Sequence, residues 1–183
     1  MSNENFKKLY VDELKDLFSA ESQLLKALPK MAKAASSDEL RTGFEKHLEQ
    51  TKVHVQRLEE IFESLDENPK GKKCVGMEGL VKEGSEVVEE GFEDAVLDAG
   101  LIGAARRVEH YEMAAYSAVC EFAKVLGQTK HASLLEKTLT EEKQTDEKLA
   151  DLAIEINSQA NEEGSEGQQQ SSPAIRKTQK NAA

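Results

Sequence analysis

The stretch RVEHYEMAAY (residues 107–116) places Glu109 and Glu112 one helical turn apart. It lies within a longer run whose apolar residues recur at helical spacing. At about 100° per residue, both carboxylates fall inside the apolar stripe of that helix. A carboxylate in a core is costly unless it is paired, protonated or bound to a metal ion. The stretch therefore predicts a helical core with an acidic interior.

The composition favours a helical, bundle-like protein. Of its 183 residues, 32% are charged and 5% are aromatic, with no Trp and three Pro. The net charge is −11, and Lys and Arg are interleaved with acids, so we expect no nucleic-acid partner. Cys74 and Cys120 form no Cys-x-x-Cys motif, which suits a reducing compartment. We see no signal peptide or membrane-spanning apolar run, and therefore expect a cytoplasmic protein without a membrane partner.

Four long apolar stripes and one short one predict an all-α fold. Helices are expected over about 3–35, from a capping box at Ser36 and Glu39 to about 62, over 77–90, from about 92 to 126, and from 129 to about 156. The turn-rich segment 66–76 and the short helix form a crossover between two hairpins. This connectivity predicts a ferritin-like four-helix bundle with a fifth helix in the crossover. We place the helical domain at 1–157 and expect a disordered polar tail over 158–183.

Polar side chains lie at one level of the predicted bundle. Each is about 14 to 19 residues from the turn of its hairpin, and antiparallel helices rise equally from a shared end. The predicted ligands are Glu21, Gln50, His54, Glu109, Glu112, Glu142 and Asp146. Clustered carboxylates repel one another, and oxygen ligands with imidazole suit iron or manganese, so we expect two metal ions.

Other readings of single residues stay open. A lone inward carboxylate commonly ends a helix or pairs with a buried Arg or His, and His54 could be an ordinary interface histidine. We expect His47 to be structural. Arg106 and Arg107 point away from the apolar stripe, so neither is expected to neutralise the inward acids.

Five segments resemble the YciE/YciF group of ferritin-like bacterial proteins: YVDELKDLFSAESQLLKALPKMA (10–32), FEKHLEQTKVHVQRLEEIF (44–62), KCVGMEGLVKEG (73–84), AARRVEHYEMAAY (104–116) and LLEKTLTEEKQTDEKLADLA (134–153). The resemblance implies a five-helix ferritin-like domain that forms a homodimer, a di-iron centre like that of rubrerythrins, a cytoplasmic location and a link to stress responses. The family's acidic positions match Glu21, Glu109, Glu112 and Glu142, with Asp146 at i,i+4. Gln50 departs from the family, which usually has an acid there, and this predicts weaker binding of the ion nearer Glu21, Gln50 and His54.

These observations predict a di-iron or iron/manganese protein that reacts with oxygen or peroxide. Two alternatives remain. One is a non-catalytic helical stress or interaction protein with a degenerate metal site, and the other is an iron-storage mini-ferritin.

Overall fold

Five α-helices make up the computed structural model, which describes residues 2–169, with side chains described for residues 4–162. They are α1 (Ser2–Ala34), α2 (Asp38–Leu65), α3 (Val75–Glu89), α4 (Asp94–Val125) and α5 (Thr129–Gln169). Over these residues there is no β-strand. Helices α1 and α2 pack as one hairpin and α4 and α5 as another, while α3 lies against α4 and α1. The predicted all-α, ferritin-like architecture is confirmed.

The turn of the first hairpin differs by one residue from its prediction. The N-cap of α2 is Ser37, whose hydroxyl accepts from the amide of Leu40 at 3.3 Å. The predicted cap, Ser36, lies one residue before it. The buried carboxylate of Asp98 accepts from the amides of Ser36 at 2.8 Å and Ser37 at 2.7 Å. These two hydrogen bonds between distant segments connect the turn to the start of α4.

The crossover is anchored where α3 begins. The amide of Cys74 donates to Ser19 Oγ at 2.9 Å, and the thiol of Cys74 lies 2.9 Å from the hydroxyl of Tyr111. Tyr111 donates in turn to Asp16 Oδ2 at 2.7 Å. Gly76 sits against this tyrosine, since a Cβ at Gly76 would lie 2.9 Å from Tyr111 Cε2. A side chain at position 76 would therefore push against a ring that two hydrogen bonds hold.

Two apolar clusters fill the bundle, with a polar layer between them. One cluster surrounds Leu28, Phe44 and Leu101, and the other surrounds Leu14 and Ile61. In each of the four long helices, the residues between the two clusters include buried glutamates or histidines. The fold therefore places a layer of ionisable groups at mid-height, with apolar packing above and below.

Helix α5 continues to Gln169, past the boundary at Asn157 that the composition predicts. Ile156 is the last buried side chain up to residue 162. Beyond it, Gln, Ala and Glu have good helix propensity, and extending an existing helix is much easier than starting one. Among the described side chains, burial therefore ends at Ile156, while the helix continues to Gln169. The remainder of the predicted tail, 170–183, lies outside the described residues. Within the described part of the chain, no helix is long and apolar enough to cross a membrane.

Candidate metal centre

The polar layer brings together six buried side chains from all four long helices. They form two groups that share one residue, and within each group the possible ligand atoms lie within 4.8 Å of one another. The first group is His47, Glu109, Glu112 and Glu142, and the second is Glu21, His54 and Glu142. Glu142 on α5 therefore lies where one carboxylate can serve two neighbouring ions.

The atoms of this cluster are close together but poorly satisfied. His47 Nε2 lies 3.2 Å from Glu109 Oε1, and His54 Nδ1 lies 3.0 Å from Glu142 Oε1. Neither nitrogen has a hydrogen-bond partner, and both oxygens of Glu112 and of Glu142 also lack one. Buried polar groups are nearly always hydrogen-bonded, so this concentration of unpaired atoms needs an explanation. Lone pairs that converge on a shared point are the arrangement that a cation requires.

Electrostatics give the same picture. Burial raises the pKa of Glu112 well above its ordinary value, and the neighbouring carboxylates of Glu142, Glu21 and Glu109 raise it further. Burial alone would lower the pKa of His47, but Glu109 and Glu142 outweigh it and raise that pKa to about 9. In the same way, burial opposes Glu142 and Glu21 at His54, whose pKa rises to about 10. The cluster therefore needs positive charge, supplied either by protons or by metal ions.

Groups around the cluster hold two of its members in place. Nε2 of His54 lies 2.9 Å from Glu141 Oε2, so its Nδ1 faces the cluster. Arg57 fixes that glutamate through two hydrogen bonds of 2.6 and 2.9 Å. Tyr116 is fully buried and donates its hydroxyl hydrogen to Oε1 of Glu21, whose Oε2 stays unpaired. Outer hydrogen bonds of this kind orient metal ligands and tune their basicity.

The structure brings together five of the seven predicted ligands, namely Glu21, His54, Glu109, Glu112 and Glu142. Asp146 is not among them. Its Oδ1 accepts from Arg106 Nε at 2.7 Å, and its Oδ2 lies 3.4 Å from His110 Nε2. Although Arg106 points away from the apolar stripe, its long side chain reaches back to this carboxylate.

Gln50 borders the cluster from another side. Its side chain is half-buried and lines a cavity together with His47 and Glu109. The weaker binding predicted from this residue stays a prediction.

His47 is the residue that the sequence argument missed. It is 4% exposed and belongs to the first group, whereas we expected a structural role for it. A signal was present, because His47 and His54 are seven residues apart and so share one face of α2.

The donor set fits two divalent ions. It holds four carboxylates and two imidazoles, the same numbers as in the di-iron and di-manganese carboxylate bundles. If both imidazoles are neutral, four negative charges balance two divalent cations. Oxygen ligands with imidazole suit iron and manganese.

Comparison with known proteins identifies the family. A family model described as "Domain of unknown function (DUF892)" matches residues 5–162. The chain belongs to the DUF892 family. Over 156 residues it is 46% identical to protein YciF of Escherichia coli strain K12, covering 84% of this chain and 93% of that protein. The resemblance to the YciE/YciF group is thereby confirmed.

Solved structures of similar proteins agree with the fold. The crystal structure of the E. coli stress protein YciF has a TM-score of 0.81 and 44% identity, covering 84% of this chain and 97% of that one. YcfI from Rhodopseudomonas palustris has a TM-score of 0.77 and 37% identity, over 79% and 92% of the two chains. Ferritin-like, diiron-carboxylate proteins from Bacillus anthracis strain Ames match with a TM-score of 0.63 over 80% and 96% of the chains. At 19% identity, this last likeness extends to the fold alone.

Proposed function

We propose that this DUF892 protein binds two iron or manganese ions in its polar layer and uses them to react with oxygen or peroxide. The observation that carries the proposal is the set of unpaired atoms on Glu21, His47, His54, Glu112 and Glu142 at the centre of the bundle. Without metal ions, the charge of these buried acids would have to be compensated by protons on the histidines and carboxylates. The E. coli relative is described as a stress protein, which supports a stress-related role.

The residues divide into two binding groups around a common carboxylate. Glu142 would bridge the ions, Glu112 with His47 and Glu109 would hold one, and Glu21 with His54 would hold the other. Bound iron or manganese would supply Lewis acidity and one-electron redox chemistry.

The surrounding side chains have two tasks. Glu141 accepts a hydrogen bond from Nε2–H of His54, so that Nδ1 of the neutral imidazole can bind a metal ion. Tyr116 keeps one oxygen of Glu21 in place and leaves the other available. The apolar clusters above and below keep water away from those two sides of the layer, which strengthens the electrostatic interactions there.

Metal retention by the full-length protein tests the proposal. Protein stripped with a chelator, loaded anaerobically with Fe(II) or Mn(II) and desalted should retain about two ions per chain. Glu142→Gln should lose most of both ions, because both groups use this carboxylate. Glu147→Gln is the matched control, since Glu147 is an exposed glutamate on the same helix. The rate of peroxide-driven Fe(II) oxidation should fall with the retained metal.

The alternatives give different stoichiometries. A storage protein would take up far more iron than two ions per chain, and a degenerate site would retain none. Equal retention by Glu142→Gln and Glu147→Gln would also reject the proposal.

A further inference from the structure

A cavity opens beside the polar layer, between the first half of α2 and the middle of α5. Its volume is about 520 Å³. At the other end of these two helices, direct contacts such as Arg57 with Glu141 and Ser64 with His131 close the gap. The cavity therefore occupies the part of the bundle where the same two helices are not joined in this way.

The size and walls of the cavity do not fit oxygen or peroxide alone. Its volume lies within the range of about 300–1,000 Å³ that is typical of sites for small organic molecules. Leu24, Leu28, Phe44, Leu149 and Leu152 line it. Dioxygen and peroxide are two-atom and four-atom molecules and would fill only a small part of this volume, whereas an alkyl chain gains about 0.8 kcal/mol for each buried CH₂.

Polar atoms with no partner mark the inner end. His47 and Glu109 line the cavity there, and both are almost fully buried, at 4% and 2% exposure. Nδ1 of His47 and Oε2 of Glu109 have no hydrogen-bond partner. The inner end of the cavity thus reaches the same residues that form the candidate metal centre.

Two lysines lie at the outer end, one on each helix. Lys46 on α2 and Lys148 on α5 are exposed, line the cavity, and form no ion pair among the described residues. The lining carboxylates of Asp38 and Glu39 belong to the first turn of α2, about two turns from Lys46. Asp38 is neutralised by Arg41. The outer end near the lysines is therefore suited to an anionic group.

We infer that this cavity binds an organic molecule with an apolar chain and an anionic head group. The chain lies among the leucines, and the head group lies between Lys46 and Lys148. This assignment depends on the cavity walls and the two lysines. It stands whether or not the centre holds metal.

Titration of the EDTA-treated full-length protein with decanoate tests the inference by calorimetry. We expect saturable binding of about one molecule per chain in the micromolar to submillimolar range. Gly43→Leu should abolish most of this binding, because Gly43 lines the cavity and a Cβ there meets nothing within 4 Å. Leucine has a higher helix propensity than glycine, so the variant should fold. Gly79→Leu is the matched control, since Gly79 is exposed in α3, meets nothing within 4 Å and lies outside the cavity.

The head group has its own test. The double variant Lys46→Gln/Lys148→Gln should bind decanoate about three- to tenfold more weakly while binding decanol as the natural protein does. Three results would overturn the inference: no saturable decanoate binding at about 1 mM, equal binding by Gly43→Leu and Gly79→Leu, or decylammonium binding as tight as decanoate. Because the chelated protein is used, failure here is separate from failure of metal retention.

Discussion

Replacing Glu112 by Gln should raise the stability of the metal-free protein. It should also lower the affinity for metal ions, and with it the stability of the metal-bound protein. Glu112 is 0% exposed, and neither carboxylate oxygen has a hydrogen-bond partner. Glutamine has nearly the same shape, carries no charge, and can donate its amide hydrogens to neighbouring carboxylates. One or two such hydrogen bonds are worth about 1–3 kcal/mol in total. For a chain of this length, that corresponds to a rise in melting temperature of about 2–12 °C.

The pH dependence of this gain follows from the raised pKa of Glu112. An acid whose folded pKa lies above its ordinary value of 4.5 destabilises the fold as the pH rises above 4.5. The advantage of Glu112→Gln in the free energy of unfolding should therefore be small near pH 4.5 and grow toward neutral pH. Added Mn(II) should reverse the order, because the variant loses an anionic ligand and with it about tenfold or more in affinity.

Thermal unfolding by circular dichroism in EDTA, repeated with Mn(II), measures both effects. Glu121→Gln is the control, because Glu121 is an exposed glutamate on the same helix and its replacement should change stability by no more than about 0.5 kcal/mol. If metal-free Glu112→Gln melts below the natural protein at pH 7, then Glu112 is not an uncompensated acid and the reasoning is refuted.

Other perturbations test separate parts of the structure. Asp146→Asn should leave metal retention unchanged and lower the free energy of unfolding by at most about 1 kcal/mol at neutral pH. The salt bridge with Arg106 lowers the pKa of Asp146, so this difference should vanish as the pH falls through that lowered pKa. Loss of metal from the variant would show that Asp146 is a ligand. Gln50→Glu should lower the metal-free melting temperature and increase the rise in melting temperature caused by Mn(II). If that rise is unchanged, residue 50 does not contribute to metal binding. Gly76→Ala should destabilise by about 1–3 kcal/mol by overpacking against the tyrosine ring, whereas Gly79→Ala should be neutral or stabilising in urea unfolding; equal effects would contradict the close approach. The homodimer implied by the family resemblance predicts a dimeric mass in light scattering at micromolar concentrations. A monomeric mass at every concentration would contradict it.

The helices and the acidic layer were predictable from the sequence because they follow from the spacing of residues along each helix. The period of the apolar stripes determines which residues face inward, and distance from a turn determines height, so Glu21, Glu109, Glu112 and Glu142 could be placed together. The turn before α2 is held by hydrogen bonds from the amides of Ser36 and Ser37 to Asp98, about sixty residues further along the chain. No local pattern records such a contact.

The errors at the site have a different physical cause. Assigning helix faces at about 100° per residue follows the Cα–Cβ direction but ignores how far a long side chain reaches. For this reason it did not predict the ion pair between Arg106 and Asp146. It also undervalued His47, which stands at the edge of the stripe and still extends inward to Glu109. Cavities depend on gaps between packed helices, which single-helix patterns do not contain.

The position of the polar layer between two apolar clusters has a consequence for the folding kinetics. Each hairpin closes over a short turn and contains mostly sequence-local contacts, so both can form early. The ligands of each group come from both hairpins, which are separated by the crossover. The acids lose their hydration when the hairpins dock, and we therefore expect docking of the metal-free chain to be slow. A divalent ion present during refolding should accelerate this late step and leave hairpin formation unchanged.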